Sequence, residues 1–438
     1  MRPFGKVVYV LAYFSKISET FILREVMALR KMGVPVQVVA LHRVHPGGLT
    51  PEEEACVREA LFVPPLFLPN VLLANILAFF GAPRTYLRAF RQVMGMPHRS
   101  LYFTLRALYH FLAVGYIARV LLADQPVAHL HAHFASVQTE VAMGLSVMLG
   151  VPFSFMAHAK DIYVDANALR EKMIAAKFVA TCTDYNALHL RTLCPEIDPK
   201  RVSVVRCSVQ SDRIAWTTPE VSHPPLILSV GRLVEKKGHS HLLEACRLLK
   251  GLGVPFRCRI IGDGPLRGRL SEEIARKNLS DCVTMEGGLP YAQVETFYRQ
   301  ATVFVLPSLV TENGDREGLP VVLMEALAFG VPVISTATSG IPELVVNEQT
   351  GLLVPPADAQ ALARAMVRLM RDEALRKRLS REGRRKVEAE FDLEKNVVHL
   401  MALLGRKAPS PATGLFIGQT GLSRRRFSTG VTIRDLGL

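Results

Sequence analysis

Residues 226–262 read LILSVGRLVEKKGHSHLLEACRLLKGLGVPFRCRIIG. The apolar run LILSVG reads as a buried strand, HSHLLEACRLLKGLG as a helix, and FRCRIIG as a second strand. A strand–helix–strand unit of this kind places its two strands parallel in one sheet. The pattern continues with helix LRGRLSEEIARKN, helix YAQVETFYRQ, strand TVFVLP, helix LPVVLMEALAFG, strand PVIST and strand GLLVPP, and helices from Ala357 to about Leu404 close it. Upstream, the same alternation appears as strand KVVYVLA, helix SETFILREVMALRKMG, strand VPVQVVAL, strand HLHAHF, a helix near Ser136–Met148, and strands VPFSFMAH, KFVATC and RVSVVRC. Ser18 is expected to cap the first helix, Glu19 to favour its positive end and Gly33 to stop it. Between the halves, TTPEVSHPP (217–225) holds three prolines and no periodicity, which is a linker signal. The expected architecture is α/β, two doubly wound units facing across a cleft, with ligand at the C-terminal strand ends.

The chain has 438 residues, 49% apolar and 21% charged, enough for more than one core and far from a disordered or collagen-like composition. Seven dispersed cysteines without a C-x-x-C pair argue against a disulfide framework or zinc ribbon and for a reducing compartment. No secretory signal is read at the N-terminus, because the short apolar run leads straight into a helix without a cleavage site. The net charge of +14 is concentrated in two places. Between Ala60 and Ala123 there is no acidic residue, but there are Arg84, Arg88, Arg91, Arg99, Arg106 and Arg119. The stretch 406–438 is Gly-, Ser- and Arg-rich without periodicity and reads as a disordered basic tail. The rest is nearly balanced, which weakens the case for a nucleic-acid-binding body. Residues 60–123 form an apolar, basic insert. Its longest uncharged stretch, Leu61–Pro83, is broken by Pro64, Pro65 and Pro69 and leaves about twelve helical residues where a membrane span needs ~20. The insert reads either as a segment lying on anionic lipid or as a helical layer over the first sheet.

Chemistry concentrates at a few positions. In REGLPVVLMEALAFG, Pro320 is expected in the first helical turn and Gly330 at the end, with Glu325 inside an apolar helix and Glu317 in the loop entering it. A carboxylate at position 325 needs partners, either an arginine or ligand hydroxyls. The helix start offers free amides to an anion. In SVGRLVEKKGH, Arg232 and Lys237 leave a strand end as two cations suited to a diphosphate, or form a solvated basic loop with Glu235 as partner. IIGDGP carries Gly262 and Gly264, but Arg267 replaces the third glycine of a dinucleotide fingerprint, leaving a turn. MAHAKDIY puts His158 at a strand end, beside Lys160 and Asp161. HLHAH aligns His129, His131 and His133 on one strand face, with no Cys or Glu at matching spacing for a metal.

Taken in order, the E-x7-E element (Glu317 and Glu325), GRLVEKKG, IIGDGP, SGIPELV and GLLVPP resemble the retaining family 4 glycosyltransferases of GT-B fold. SETFILRE, HAHFA, PFSFMAHAKDIY and ENGDREGLPVVLMEA resemble their colanic acid and exopolysaccharide branch. The resemblance spans residues 6–404 and implies an acceptor-side domain (1–216), the linker (217–225), a nucleotide-sugar-binding domain (226–390) and a closing helix (391–405). It implies that Arg232, Lys237 and the backbone at Gly318 and Leu319 bind the donor diphosphate. Glu325 would hold ribose hydroxyls, Glu317 the transferred sugar, and His158 would sit beside the anomeric carbon. It further implies a metal-independent transferase with no cofactor beyond the nucleotide-sugar co-substrate, a glycan or lipid-linked acceptor, no nucleic-acid partner, and a cytoplasmic location that includes peripheral membrane contact. Ser15, Ser208 and Gln210 depart from the branch, which usually has Pro, Gly and Asp there. A nucleotide-sugar epimerase on the same scaffold and a non-catalytic nucleic-acid or membrane-binding protein are the alternatives.

Overall fold

The computed structural model describes residues 5–14, 20–44, 49–216 and 223–406. The N-terminal lobe holds seven parallel strands: β1 (Lys6–Tyr13), β2 (Val36–His42), β3 (Leu61–Phe62), β4 (Val127–His133), β5 (Phe153–Ala157), β6 (Val179–Thr181) and β7 (Val202–Val204), in the order β3-β2-β1-β4-β5-β6-β7. The C-terminal lobe holds β8 (Leu226–Val230), β9 (Arg257–Ile261), β10 (Val283–Gly287), β11 (Val303–Leu306), β12 (Val333–Thr336) and β13 (Leu352–Val354), in the order β10-β9-β8-β11-β12-β13. Both sheets reverse direction of growth beside their first strand, as in doubly wound folds.

The strands are apolar at successive positions because helices cover both faces. Along β1, Val8 and Val10 enter one core with the helices of residues 69–149, while Val7, Tyr9 and Leu11 enter another with helix Thr20–Lys31. In the second lobe, Ile227, Val303 and Ile334 serve one face, and Leu228, Phe304 and Val333 the other.

Several local readings are corrected. VTMEG forms the edge strand β10, which had no place among the expected elements; its solvent side carries Thr284, so its apolar signal is thin. At the head of the insert, Leu61 and Phe62 add the short strand β3 to the edge of the N-terminal sheet, pairing with Val39 and Ala40. Helices Pro69–Gly81, Pro83–Met94 and Leu101–Tyr116 follow, the last running into a π-turn at Ile117–Leu121. Pro320 is the N-cap of helix Val321–Ala328 rather than a residue of its first turn, and Gly330, at φ +80°, ends it. Ser15, Ser18, Glu19, most of the 217–225 linker and the tail beyond Arg406 lie outside the described residues.

The lobes are tied by two chain crossings that bond each other. The Val209 amide donates to the Phe391 carbonyl (3.1 Å) and the Leu393 amide to the Val209 carbonyl (3.2 Å). The departures Ser208 and Gln210 flank this point. Helix Leu393–Leu403 then returns to the N-terminal lobe, where Leu393, Val397, Leu400 and Met401 join the core under β1. Across the gap, Glu343 accepts the amides of Asp184 and Tyr185 (2.9 Å each), at the start of helix Asp184–Leu193, and pairs with Arg206 at 2.6 Å. Leu400 is fully buried, so Leu400→Ala is expected to cost about 2–5 kcal/mol in denaturant unfolding. A change below ~1 kcal/mol contradicts the packing of this helix.

Candidate functional site

The C-terminal side of the site is built by two interlocked turns. After β8 the chain turns at Gly231 and again at Gly238, whose φ is +70° and where a Cβ would stand 1.9 Å from the Pro307 carbonyl oxygen. The IIGDGP turn docks on it: Gly231 and Leu233 amides donate to Ile261 and Asp263 carbonyls (2.9 Å each), and a Cβ on Gly262 would meet the Gly231 oxygen at 2.0 Å. Only glycine permits this approach. IIGDGP is thus a buttress for the GRLVEKKG turn.

That buttress fixes Lys237. Its stem crosses Gly231 and its Nζ lies 3.1 Å from Glu317 Oε2, with both side chains about nine-tenths buried. Glu317, not Glu235, is the partner. Lys236, which the motif reading passed over, lies 3.8 Å from Glu317 Oε1 and 3.0 Å from Asp315. Glu317 Oε1 itself is buried without a hydrogen-bond partner. Arg232 sits on the same turn and is exposed. The next loop residue, Arg316, reaches the first lobe, donating to Tyr185 Oη (3.1 Å) and lying over the Tyr163 ring. Gly318 faces the same way: a Cβ there would lie 3.1 Å from Cys182 Sγ and 3.8 Å from Ala159. Leu319 is buried and anchors the loop before the helix.

Glu325 stands one helical turn deeper. Tyr298 Oη donates to its Oε2 at 3.1 Å, and Arg24, from helix Thr20–Lys31 of the opposite lobe, approaches Oε1 to 3.8 Å while stacking over the Tyr291 ring. Burial raises the Glu325 pKa, and Arg24 opposes that rise. An arginine partner is therefore present, but it is supplied across the cleft and at the edge of ion-pair distance.

His158 caps the short helix Ala159–Tyr163. The Asp161 amide donates to its ring while the Asp161 carboxylate accepts the amides of His158 (3.0 Å) and Ala135. The remaining ring nitrogen, Nε2, is buried without a partner. Because Nδ1 accepts, Nε2 carries the proton, so the ring is a hydrogen-bond donor. Burial, and then His133, lower the His158 pKa to about 3, while burial raises that of Asp161 to about 7. Around His158 lie Phe21, His133 and Phe134, the last with its ring centroid 4.4 Å away and its backbone at φ +70°, a strained conformation for a phenylalanine. A cavity of about 20 Å³ behind the ring, lined by Glu25, Cys207 and Ser208 among others, has room for a water but not a sugar.

The histidine strand differs from its reading. Glu25, from helix Thr20–Lys31, supplies the carboxylate that local spacing lacked: it accepts His133 Nε2 at 2.9 Å and Tyr9 Oη at 2.7 Å. His129 and His131 share Ser154 Oγ at 2.7 and 2.8 Å. Glu25, His131 and His133 converge; Glu25 and one nitrogen of each ring make hydrogen bonds that knit helix to sheet, while His131 Nε2 and His133 Nδ1 are buried without a partner. Lys172, fully buried, likewise holds Glu140 at 2.8 Å and the Ala135 carbonyl at 3.0 Å beneath the His158 loop.

The predicted residues thus fall into three groups around one interlobe gap: Lys237 in contact with Glu317, Glu325 beside Arg24, and the His158–Ala159 loop opposite Gly318. Arg24, Lys236, Tyr298 and Phe134 belong to these groups without having been singled out beforehand, and Asp161, read only as a neighbour of His158, accepts its amide.

Residues 210–386 match the family model of glycosyl transferases group 1. Over 419 residues, 91% of this chain and 99% of the other, the sequence is 33% identical to WcaL of Salmonella typhimurium, a glycosyltransferase named for colanic acid biosynthesis. It is 41% identical over 216 residues to the amylovoran biosynthesis glycosyltransferase AmsK of Erwinia amylovora, a match that spans about half of each chain. Among solved structures, Anabaena HepE in complex with UDP and glucose superimposes with a TM-score of 0.64 at 14% identity, covering 92% of this chain and all of that one. Sucrose-phosphate synthase of Thermosynechococcus elongatus does so with 0.67 at 19%, covering 91% and 98%. The two facing parallel sheets are the GT-B arrangement, and the chain belongs to the group 1 glycosyltransferases.

Proposed function

We propose that this enzyme moves a sugar, with retention of anomeric configuration, from a nucleotide-sugar donor to a lipid-linked glycan acceptor during exopolysaccharide synthesis, acting in the cytoplasm and peripherally at the membrane. The names of WcaL and AmsK support the exopolysaccharide setting, and the UDP complexes of HepE support a nucleotide-sugar donor. The observation that carries the reading is the Lys237–Glu317 pair, 3.1 Å long, on the same turn as the exposed Arg232.

In this reading the donor diphosphate takes Lys237 as a point charge, Arg232 as a fork, and the amides at Gly318 and Leu319 before the helix start. Glu317 exchanges Lys237 for hydroxyls of the transferred sugar, and Glu325 takes the ribose diol, aided by Tyr298. His158 donates Nε2–H to a sugar oxygen and does not serve as a base, since its Nδ1 is held by the Asp161 amide. The acceptor hydroxyl attacks C1 on the face the diphosphate leaves. The bond from the acceptor oxygen to C1 forms as the bond between C1 and the diphosphate oxygen breaks, and the acceptor's proton passes to that departing oxygen. Cations and amides stabilise the charge that develops on that leaving group, so the reading calls for no metal and no protein nucleophile.

Glu317→Gln is expected to lower kcat for transfer by on the order of 100-fold with the donor still bound; full activity contradicts the assignment. Glu325→Ala is expected to weaken donor binding by ~1–3 kcal/mol in calorimetry; wild-type affinity contradicts it. If the purified enzyme epimerised a nucleotide sugar without an acceptor, transfer would not be its reaction. His158 supplies a pH test. Its folded pKa, about 3, lies below the ordinary value near 6.5, so the unfolded chain binds the extra proton between these limits. The stability His158 contributes is complete above pH ~6.5 and is lost as pH falls toward 3. Its ring resonances, assigned by comparison with His158→Gln, should stay fixed from pH 8 to 5. A midpoint near 6.5 contradicts the buried donor.

A further inference from the structure

We propose that the helices of residues 69–121 form a face that lies in one leaflet of a lipid bilayer rich in anionic head groups. The inference gives a surface to the peripheral location proposed above, and its test does not depend on the reaction.

Thirteen of the twenty-three exposed large hydrophobic side chains among the described residues fall between Phe67 and Val120. Helix Pro69–Gly81 carries no charge and is apolar except for Asn70 at its start and Asn75 on its inward side. Such a helix belongs in a core or in lipid, yet here it is an outer layer, packed on helices Pro83–Met94 and Leu101–Tyr116. Its inward side is narrow and built for close approach. Asn75 donates to the Val71 and Leu112 carbonyls (2.8 Å each) and accepts Tyr86 Oη (3.0 Å), and only a glycine at position 115 leaves it room. Its outward side presents Leu72, Leu73, Ile76, Leu77 and Phe80, between 43% and 75% exposed. Helix Leu101–Tyr116 adds exposed Leu101, Leu105 and Leu108.

The segment Leu101–Leu121 is long and apolar enough to cross a membrane. It is packed into the lobe instead: Ala107, Phe111, Val114 and Ile117 are buried in its core, and a span would remove them from it.

Charge selects the occupant. Arg84, Arg88 and Arg91 are exposed at helical spacing on Pro83–Met94, Arg99 and Arg119 are exposed nearby, and no acidic residue occurs from Ala60 to Ala123. A second copy seated on this face would set these arginines against themselves. The chain's own stretch 407–438 is basic as well, so it offers no complement. An anionic lipid surface supplies both an apolar interior and the opposing charge.

The test is flotation of the full chain with vesicles of phosphatidylcholine alone or mixed equally with phosphatidylglycerol. Binding is expected to the anionic vesicles and to fall by about fivefold per arginine in Arg84→Gln, Arg88→Gln and Arg91→Gln. The triple variant Leu73→Asn, Ile76→Asn, Phe80→Asn changes only exposed positions. It should lose binding to anionic vesicles while keeping its thermal midpoint. The indole of Phe80→Trp, in a Trp216→Phe background, should be quenched by lipids brominated high on the acyl chain. No binding, equal binding to both vesicles, or an indole that escapes quenching in the Phe80→Trp variant would overturn the proposal. So would a dimer in vesicle-free buffer that the asparagine variant dissolves.

Discussion

A lysine ammonium and a glutamate carboxylate that are each nine-tenths buried cannot both stand unpaired, and Lys237 and Glu317 meet at 3.1 Å. That contact organises the edge of the C-terminal lobe that faces the interlobe gap. It requires the GRLVEKKG turn to hold Lys237 over Gly231, and this in turn requires the two glycine turns to interlock. It also keeps a cation at the end of β8, where, in the proposed reading, an incoming diphosphate displaces the Glu317 carboxylate.

The opposing lobe completes the site because it is tied down close to it. Glu343 clamps the start of helix Asp184–Leu193 and Arg206, and helix Leu393–Leu403 packs under β1. These ties bring Arg24 toward Glu325, Arg316 over Tyr163, and the His158–Ala159 loop against Gly318. Burial then shapes the chemistry of each group: it lowers the His158 pKa, and it raises that of Glu325 against the opposing charge of Arg24.

Most strands were legible because both faces of each sheet are covered and the runs are apolar throughout. Strand β10 escaped because it is an edge strand with Thr284 on its solvent side, and β3 because two residues carry no periodicity at all. The E-x7-E spacing and the cations after β8 were visible within short motifs. Their partners were not: Arg24 lies about three hundred residues from Glu325, and Glu25 more than a hundred from His133. Only the fold brings such groups together. The role of Asp161, which orients His158 through two backbone amides, was hidden for another reason. Its proximity was plain in the sequence, but the cap geometry was not.

The most direct test is a crystal structure of the enzyme with a nucleoside diphosphate bound. Diphosphate oxygens are expected on Lys237 Nζ and the Arg232 guanidinium, with Glu317 released from Lys237 and turned toward the sugar position. A diphosphate held elsewhere, with the Lys237–Glu317 pair intact, would contradict the donor site described above.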